Sequence, residues 1–143
     1  MTNFGSCEKL TNNPIIPLHE NGVEVRFLNP KKTQVKRIKI DKCHFNPPGG
    51  QQNTLCCDFL LISSINKHHF VELKGTHVAH GVAQLRNTID LLGLKKSTVK
   101  KLAYLITRSD ANIGTVGASF KAKFLKDCGG LLHIARSGSK FNL

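Results

Sequence analysis

Apolar and polar positions change period several times along this 143-residue chain, and each change marks an element. In residues 33–41 (TQVKRIKID), Ile38 and Ile40 fall on one side and lysine and arginine on the other. That period-two alternation is the mark of a half-buried strand. Residues 55–63 (LCCDFLLIS) are almost continuously apolar, which predicts a central strand covered on both faces. Residues 64–67 turn the chain, and residues 68–74 (HHFVELK) return beside it. After Gly75-Thr76, the residues Val78, Val82, Leu85, Ile89 and Leu92 fall on one stripe at helical spacing, ended by Gly93. Residues 102–107 (LAYLIT) form another buried strand, and 117–127 (GASFKAKFLKD) a second amphipathic helix stopped by Gly129-Gly130. Residues 131–135 (LLHIA) make a last short strand before a polar tail.

The remaining segments read as connections. Residues 1–34 are punctuated by Asn12-Asn13-Pro14, Pro17 and Asn29-Pro30 and are expected to be irregular, with one short alternating strand at 23–27 (VEVRF). Residues 45–53 (FNPPGGQQN) are a loop. Residues 35–136 therefore run β-β-β-α-β-α-β: a single α/β domain with a mixed central β-sheet flanked by helices. The chain shows no internal repeat and no domain boundary.

Composition narrows the partners. Lys and Arg number 21 against nine acids, for a net charge of +12 and an isoelectric point near 9.8. The cations cluster at Lys31-Lys32, at Lys36, Arg37 and Lys39, at Lys95, Lys96, Lys100 and Lys101, and at Lys121, Lys123 and Lys126. Clustered basic charge favours a polyanion, nucleic acid first, through salt-dependent phosphate contacts. One Tyr and no Trp give little support to a base-stacking platform. No apolar segment approaches a membrane span and the N-terminal residues are too polar for a signal peptide, so the expectation is a cytoplasmic protein with no membrane partner. The five cysteines include no CxxC pair, and adjacent Cys56 and Cys57 point to opposite faces of a strand. Reduced, buried thiols are expected. A zinc site from Cys43, His44, Cys57 and His69 would lack structural-zinc spacing.

Against that background two acids stand out. Asp58 sits within one apolar strand, and Glu72-Leu73-Lys74 closes the next. Charges inside such segments are costly unless they meet a partner or a metal. Glu72 and Lys74 project from one face. Asp58 joins them if a three-residue turn, 65–67, pairs Ser64 with His68; Asp58 then lies opposite Lys74 and diagonal to Glu72, at roughly 7–8 Å. A two-residue turn would send Asp58 to the other face unless a bulge intervened. Two carboxylates without His or Cys suit Mg²⁺ or Mn²⁺. The competing reading is an Asp58–Lys74 ion pair with Glu72 in solvent. His77, His80 and Gln84 share one helix face, away from the apolar stripe. His68 and His69, at the hairpin, are expected at the surface.

The segment LCCDFLLISSINKHHFVELKG, followed by a helix carrying Gln84, resembles the core of the PD-(D/E)XK nuclease superfamily, the restriction-endonuclease-like fold, over about residues 35–107. The resemblance implies that Asp58 and Glu72 bind a metal ion with the Leu73 carbonyl as a third ligand. It makes Lys74 the catalytic lysine and Gln84 an orienting residue. Cys57 stands where the family pattern has proline. Many members also carry a further glutamate on an N-terminal helix, which residues 1–34 lack; Glu8, Glu20 and Glu24 are the candidates. The expected activity is Mg²⁺-dependent hydrolysis of phosphodiesters, DNA favoured over RNA. Lys36, Arg37, Lys39, His77, His80, Lys95 and Lys96 would bind nucleic acid. A domain with one site would cut both strands of a duplex as a homodimer. The alternatives are a non-catalytic nucleic-acid-binding or inhibitory module on the same fold, and a basic protein that binds another protein's acidic surface.

Overall fold

The computed structural model describes residues 2–64, 66–74, 76–108 and 114–143. The elements are β1 (Glu8–Thr11), β2 (Ile15–Glu20), β3 (Val23–Leu28), β4 (Val35–Lys39), β5 (Phe59–Ser64), β6 (Lys67–Lys74), α1 (Val78–Leu91), β7 (Lys100–Thr107), α2 (Gly114–Cys128), β8 (Leu131–Arg136) and β9 (Ser139–Asn142). The expected order from β4 to β8 is observed, in one α/β domain with a mixed sheet. Ile65 in the hairpin turn and Gly75 before α1 lie outside the described residues.

Six strands form the main sheet in the order β1-β4-β5-β6-β7-β8. The pairs from β1 to β6 are antiparallel, and β6-β7 and β7-β8 are parallel, each bridged by one helix. The alternation in β6 explains the layering. Phe70 faces α1 in a cluster with Leu60, Val82, Leu85, Ile89 and Leu105, while Val71 and Leu73 face the other way, against Val25, Phe27 and Ile106. The second cluster is closed by a three-stranded sheet, β2-β3-β9. The main sheet thus lies between helices and a smaller sheet, and its central strands are wetted on neither face. α1 comes close to β7 because Gly81 has no side chain; a Cβ there would stand 2.5 Å from Leu105 Cδ1.

Several expectations are corrected. Residues 1–34 are not irregular: they carry three strands. Asn21 and Gly22, with φ of 52° and 76°, make the tight β2–β3 turn that joins Glu20 to Val23. Pro17 is tolerated because β2 is an edge strand. The tail is a strand as well, since β9 pairs in parallel with β3. β5 begins at Phe59, not Leu55. His69 is fully buried, capped by the small sheet: Nε2 lies 2.8 Å from Ser63 Oγ, and Nδ1 3.1 Å from the Tyr104 hydroxyl. Cys7 and Cys43 form a disulfide, with Cα atoms 5.8 Å apart, so only Cys56, Cys57 and Cys128 are free and buried. Among the described residues no helix is long and apolar enough to cross a membrane.

Two predictions follow from these buried groups. The disulfide closes a separation of 36 residues, and the chain-entropy argument gives such a bond roughly 3–4 kcal/mol. Cys7→Ser is expected to lower the denaturant-derived stability by about that amount; an unchanged midpoint would show that the bond does not form. Burial first, then the charges of Lys67, His68 and Lys100, push His69 down to about 3. Between the unfolded value, about 6.5, and about 3 the unfolded chain binds a proton that the fold refuses. Stability from this group is complete above that window and lost as pH falls through it. The unfolding midpoint should drop more steeply from pH 7 to 4.5 in the wild type than in His69→Gln, and parallel profiles would contradict it.

Candidate active site

Asp58 is held where three segments meet. Its N–H donates to the Val71 carbonyl at 3.1 Å, and its carbonyl accepts the Ile40 N–H at 2.9 Å. Its Oδ2 accepts the Leu73 N–H, also at 2.9 Å. The expected register is not the one observed. Ser64 pairs with Lys67, and Ile62 with His68, the shift between them leaving residue 63 as a bulge. The ladder continues through Phe59↔Val71, so one step further Asp58 stands opposite Glu72, not opposite Lys74. The bulge restores the face that the short turn would have reversed. Asp58, Glu72 and Lys74 therefore share one side of the sheet, and the two acids are nearer than the expected diagonal.

Asp58 and Glu72 are the buried acids among the described residues, 7% and 3% exposed. Burial, followed by the charge of Asp58, pushes Glu72 up to about 9, with Lys74 acting in the opposite sense. Burial also raises Asp58, opposed by the Leu73 N–H and by Lys39. The two carboxyls are close enough for a hydrogen bond between them, and Glu72 Oε1 is buried without a partner. This is not the ion pair of the competing reading: Glu72 is withdrawn from solvent and confronts Asp58. Such a pair holds a proton or calls for a cation.

Other groups surround the pair. Glu20, at the end of β2, bonds Lys39 at 3.0 Å and Lys42 at 3.2 Å. Burial raises its carboxyl, but these two lysines more than offset that and leave it below the ordinary range. Glu20 acts electrostatically on Asp58. Of the three N-terminal candidates it alone acts on the pair; Glu24 pairs with Arg26 in solvent, and Glu8 lines a cavity that includes neither buried acid. Asp41, which sequence reasoning missed, is felt by both Asp58 and Glu72. Asn46 holds it through an Nδ2 bond of 2.8 Å. Its sequence signal was an acid at the end of the strand neighbouring β5. Gln84 donates from Nε2 to the Cys56 carbonyl at 3.1 Å, and its Oε1 is buried without a partner. The neighbouring thiols are inert: burial, then Asp41, pushes Cys56 up to about 12, and burial raises Cys57 too.

The predicted nucleic-acid residues divide. Lys74, His77 and His80 line an open hollow of about 740 Å³ at the start of α1. Arg37 and Lys39 lie across the Phe59 ring, at 5.2 and 4.4 Å, on the far face of β4 from Lys36. Lys95 and Lys96 are exposed beyond the other end of α1. These groups do not form one continuous track. A second cavity of about 750 Å³, lined by Leu10, Lys36, Ile62 and Leu94, includes neither buried acid. The zinc set is not assembled, since Cys43 is in the disulfide and His69 lies across the sheet from Cys57. Among the described residues no three His, Cys, Asp or Glu side chains converge as a metal site; the pair offers two carboxylates.

Glu72 makes the cation-free fold sensitive to alkali. Its folded value is raised from 4.5 to about 9, so its stability contribution is full below the lower value and lost as pH rises towards the upper one. In chelator at pH 8, Glu72→Gln is expected to melt above the wild type, with a flatter profile from pH 5 to 9. A lower melting point across that range would contradict the buried acid pair.

No protein-family model, curated protein or solved structure matches the chain.

Proposed function

We propose that the protein is a Mg²⁺- or Mn²⁺-dependent nuclease with a restriction-endonuclease-like core, hydrolysing phosphodiester bonds, DNA favoured over RNA. The observation that carries this reading is the buried Asp58–Glu72 pair, with Lys74 on the same face and one Glu72 oxygen without a partner. The donors fit a small hard cation, which is commonly held by one or two carboxylates and keeps several waters. Asp58 and Glu72 would bind it from their side chains and Leu73 from its carbonyl, while the Leu73 N–H fixes Asp58. The ion supplies charge for the phosphate oxygens and lowers the pKa of a bound water. Lys74, beside the attacked phosphorus, would stabilise the negative charge that builds there as water forms a new P–O bond and the alcohol leaves. Gln84 Oε1 is an acceptor available to orient that water. The hollow lined by Lys74, His77 and His80 shares Lys74 with this site and would offer cationic or polar contacts to a phosphate chain.

A single site in each chain would require two copies, or two encounters, to cut both strands. The Cys7–Cys43 bond weighs against a reducing cytosol as its working compartment.

The test is cleavage of plasmid, linear duplex, single-stranded DNA and RNA with Mg²⁺ or Mn²⁺. Asp58→Ala, Glu72→Ala and Lys74→Ala should each lower the rate about 100-fold or more. Equal rates in all proteins would mean that the assigned site is wrong. Tight, salt-sensitive binding without cleavage would instead support the non-catalytic module.

A further inference from the structure

We infer that Thr88 is a positioning residue for Asp58, acting through the backbone of Cys57; the inference rests on the nuclease reading. Residues 55–57 precede β5 and have no place in its ladder. They hang from α1 instead. Asn87 Nδ2 donates to the Leu55 carbonyl, Gln84 Nε2 to the Cys56 carbonyl, and the Cys57 N–H donates to Thr88 Oγ1 at 2.8 Å. Gln84, Asn87 and Thr88 are spaced i, i+3 and i+4, so they present one helix face to three consecutive residues. The chain enters the sheet at the next residue, Asp58.

Thr88 is the buried member of this clamp. Thr88 and Cys57 are both fully buried, so the Cys57 N–H has no water to turn to and needs that acceptor. The hydroxyl proton of Thr88 is committed to the Gln84 carbonyl, also at 2.8 Å, which leaves an oxygen lone pair for Cys57. The bond therefore has a fixed direction. The rotation that aims the Asp58 carboxyl at the Leu73 N–H and at Glu72 begins one residue beyond it. On the far side, Asn46 pins the loop through the Thr54 N–H and carbonyl, at 2.7 and 2.9 Å. Residues 54–57 are thus fixed by side chains, and the neighbouring segments take hold only from Asp58, through Val71 and Ile40. Misplacing a reacting group by about 1 Å costs up to about 100-fold in rate.

The measurement compares Thr88→Val, which keeps the shape without the acceptor, with Thr88→Ser, which restores it. Each is assayed for DNA cleavage and, by calorimetry without DNA, for Mn²⁺ binding. Thr88→Val should lose about 10- to 100-fold in kcat, with KM for DNA changed little and Mn²⁺ bound several-fold more weakly. Thr88→Ser should recover most of both. A lower melting temperature in Thr88→Val, with unchanged kcat and Mn²⁺ affinity, would reduce Thr88 to a packing role and overturn the inference. If Thr88→Val does not fold, Asn87→Ala at the exposed end of the clamp carries the test: a several-fold loss of kcat at unchanged KM supports it, and wild-type kinetics overturn it. Wild-type protein that neither cuts nor binds Mn²⁺ would overturn the nuclease reading itself, and with it the role of Thr88.

Discussion

Two carboxyl groups facing each other across a strand pair, with water shut out so that both cannot readily be charged, are the constraint around which this molecule is organised. Taking a carboxylate from water into a protein interior costs several kcal/mol. Asp58 and Glu72 are nonetheless 7% and 3% exposed and adjacent. Above its ordinary range Glu72 costs the fold stability, because it stays protonated there while the unfolded chain ionises. Helices on one face and a second sheet on the other keep the central strands dry, and it is that enclosure which raises both acids. A fold that keeps such a pair opposes its own stability, as active sites commonly do.

The charge around the pair is graded. The protein is strongly basic overall, yet Glu20 and Asp41 stand beside the buried acids. Lys39 and Lys42 draw Glu20 to them, and Lys74 opposes the rise in Glu72. On the proposed nuclease reading, a nucleic acid drawn in by the outer cations would arrive at a local concentration of acids, where its phosphates would need a cation between. Direct contact of phosphate with two carboxylates would be repulsive.

The central elements were legible because their periods are strong. The apolar stripe from Val78 to Leu92 and the run through Leu60 and Leu61 could only be core, and the sharing of a face by Glu72 and Lys74 follows from strand geometry. Of the small sheet only β3 was legible, from the alternation at 23–27. β2 carries a proline, and β9 reads as a polar tail and exists through a partner distant in sequence, a strand more than 100 residues earlier. The register was misjudged because a bulge at residue 63 depends on tertiary fit. His69 was read from its hairpin position and could not announce the sheet that covers it. Thr88 lay on a helix and looked like a neutral filler. Its role depends on the buried N–H of Cys57, 31 residues away in sequence, which only the fold brings to it.

The most direct test of the central claim is anomalous diffraction from crystals of the wild-type protein soaked in Mn²⁺. The account predicts one strong peak between the Asp58 and Glu72 carboxylates, about 2.0–2.3 Å from an oxygen of each, and its loss in Glu72→Gln. A wild-type map with the carboxyls still in mutual contact and no peak between them, at saturating Mn²⁺, would contradict it.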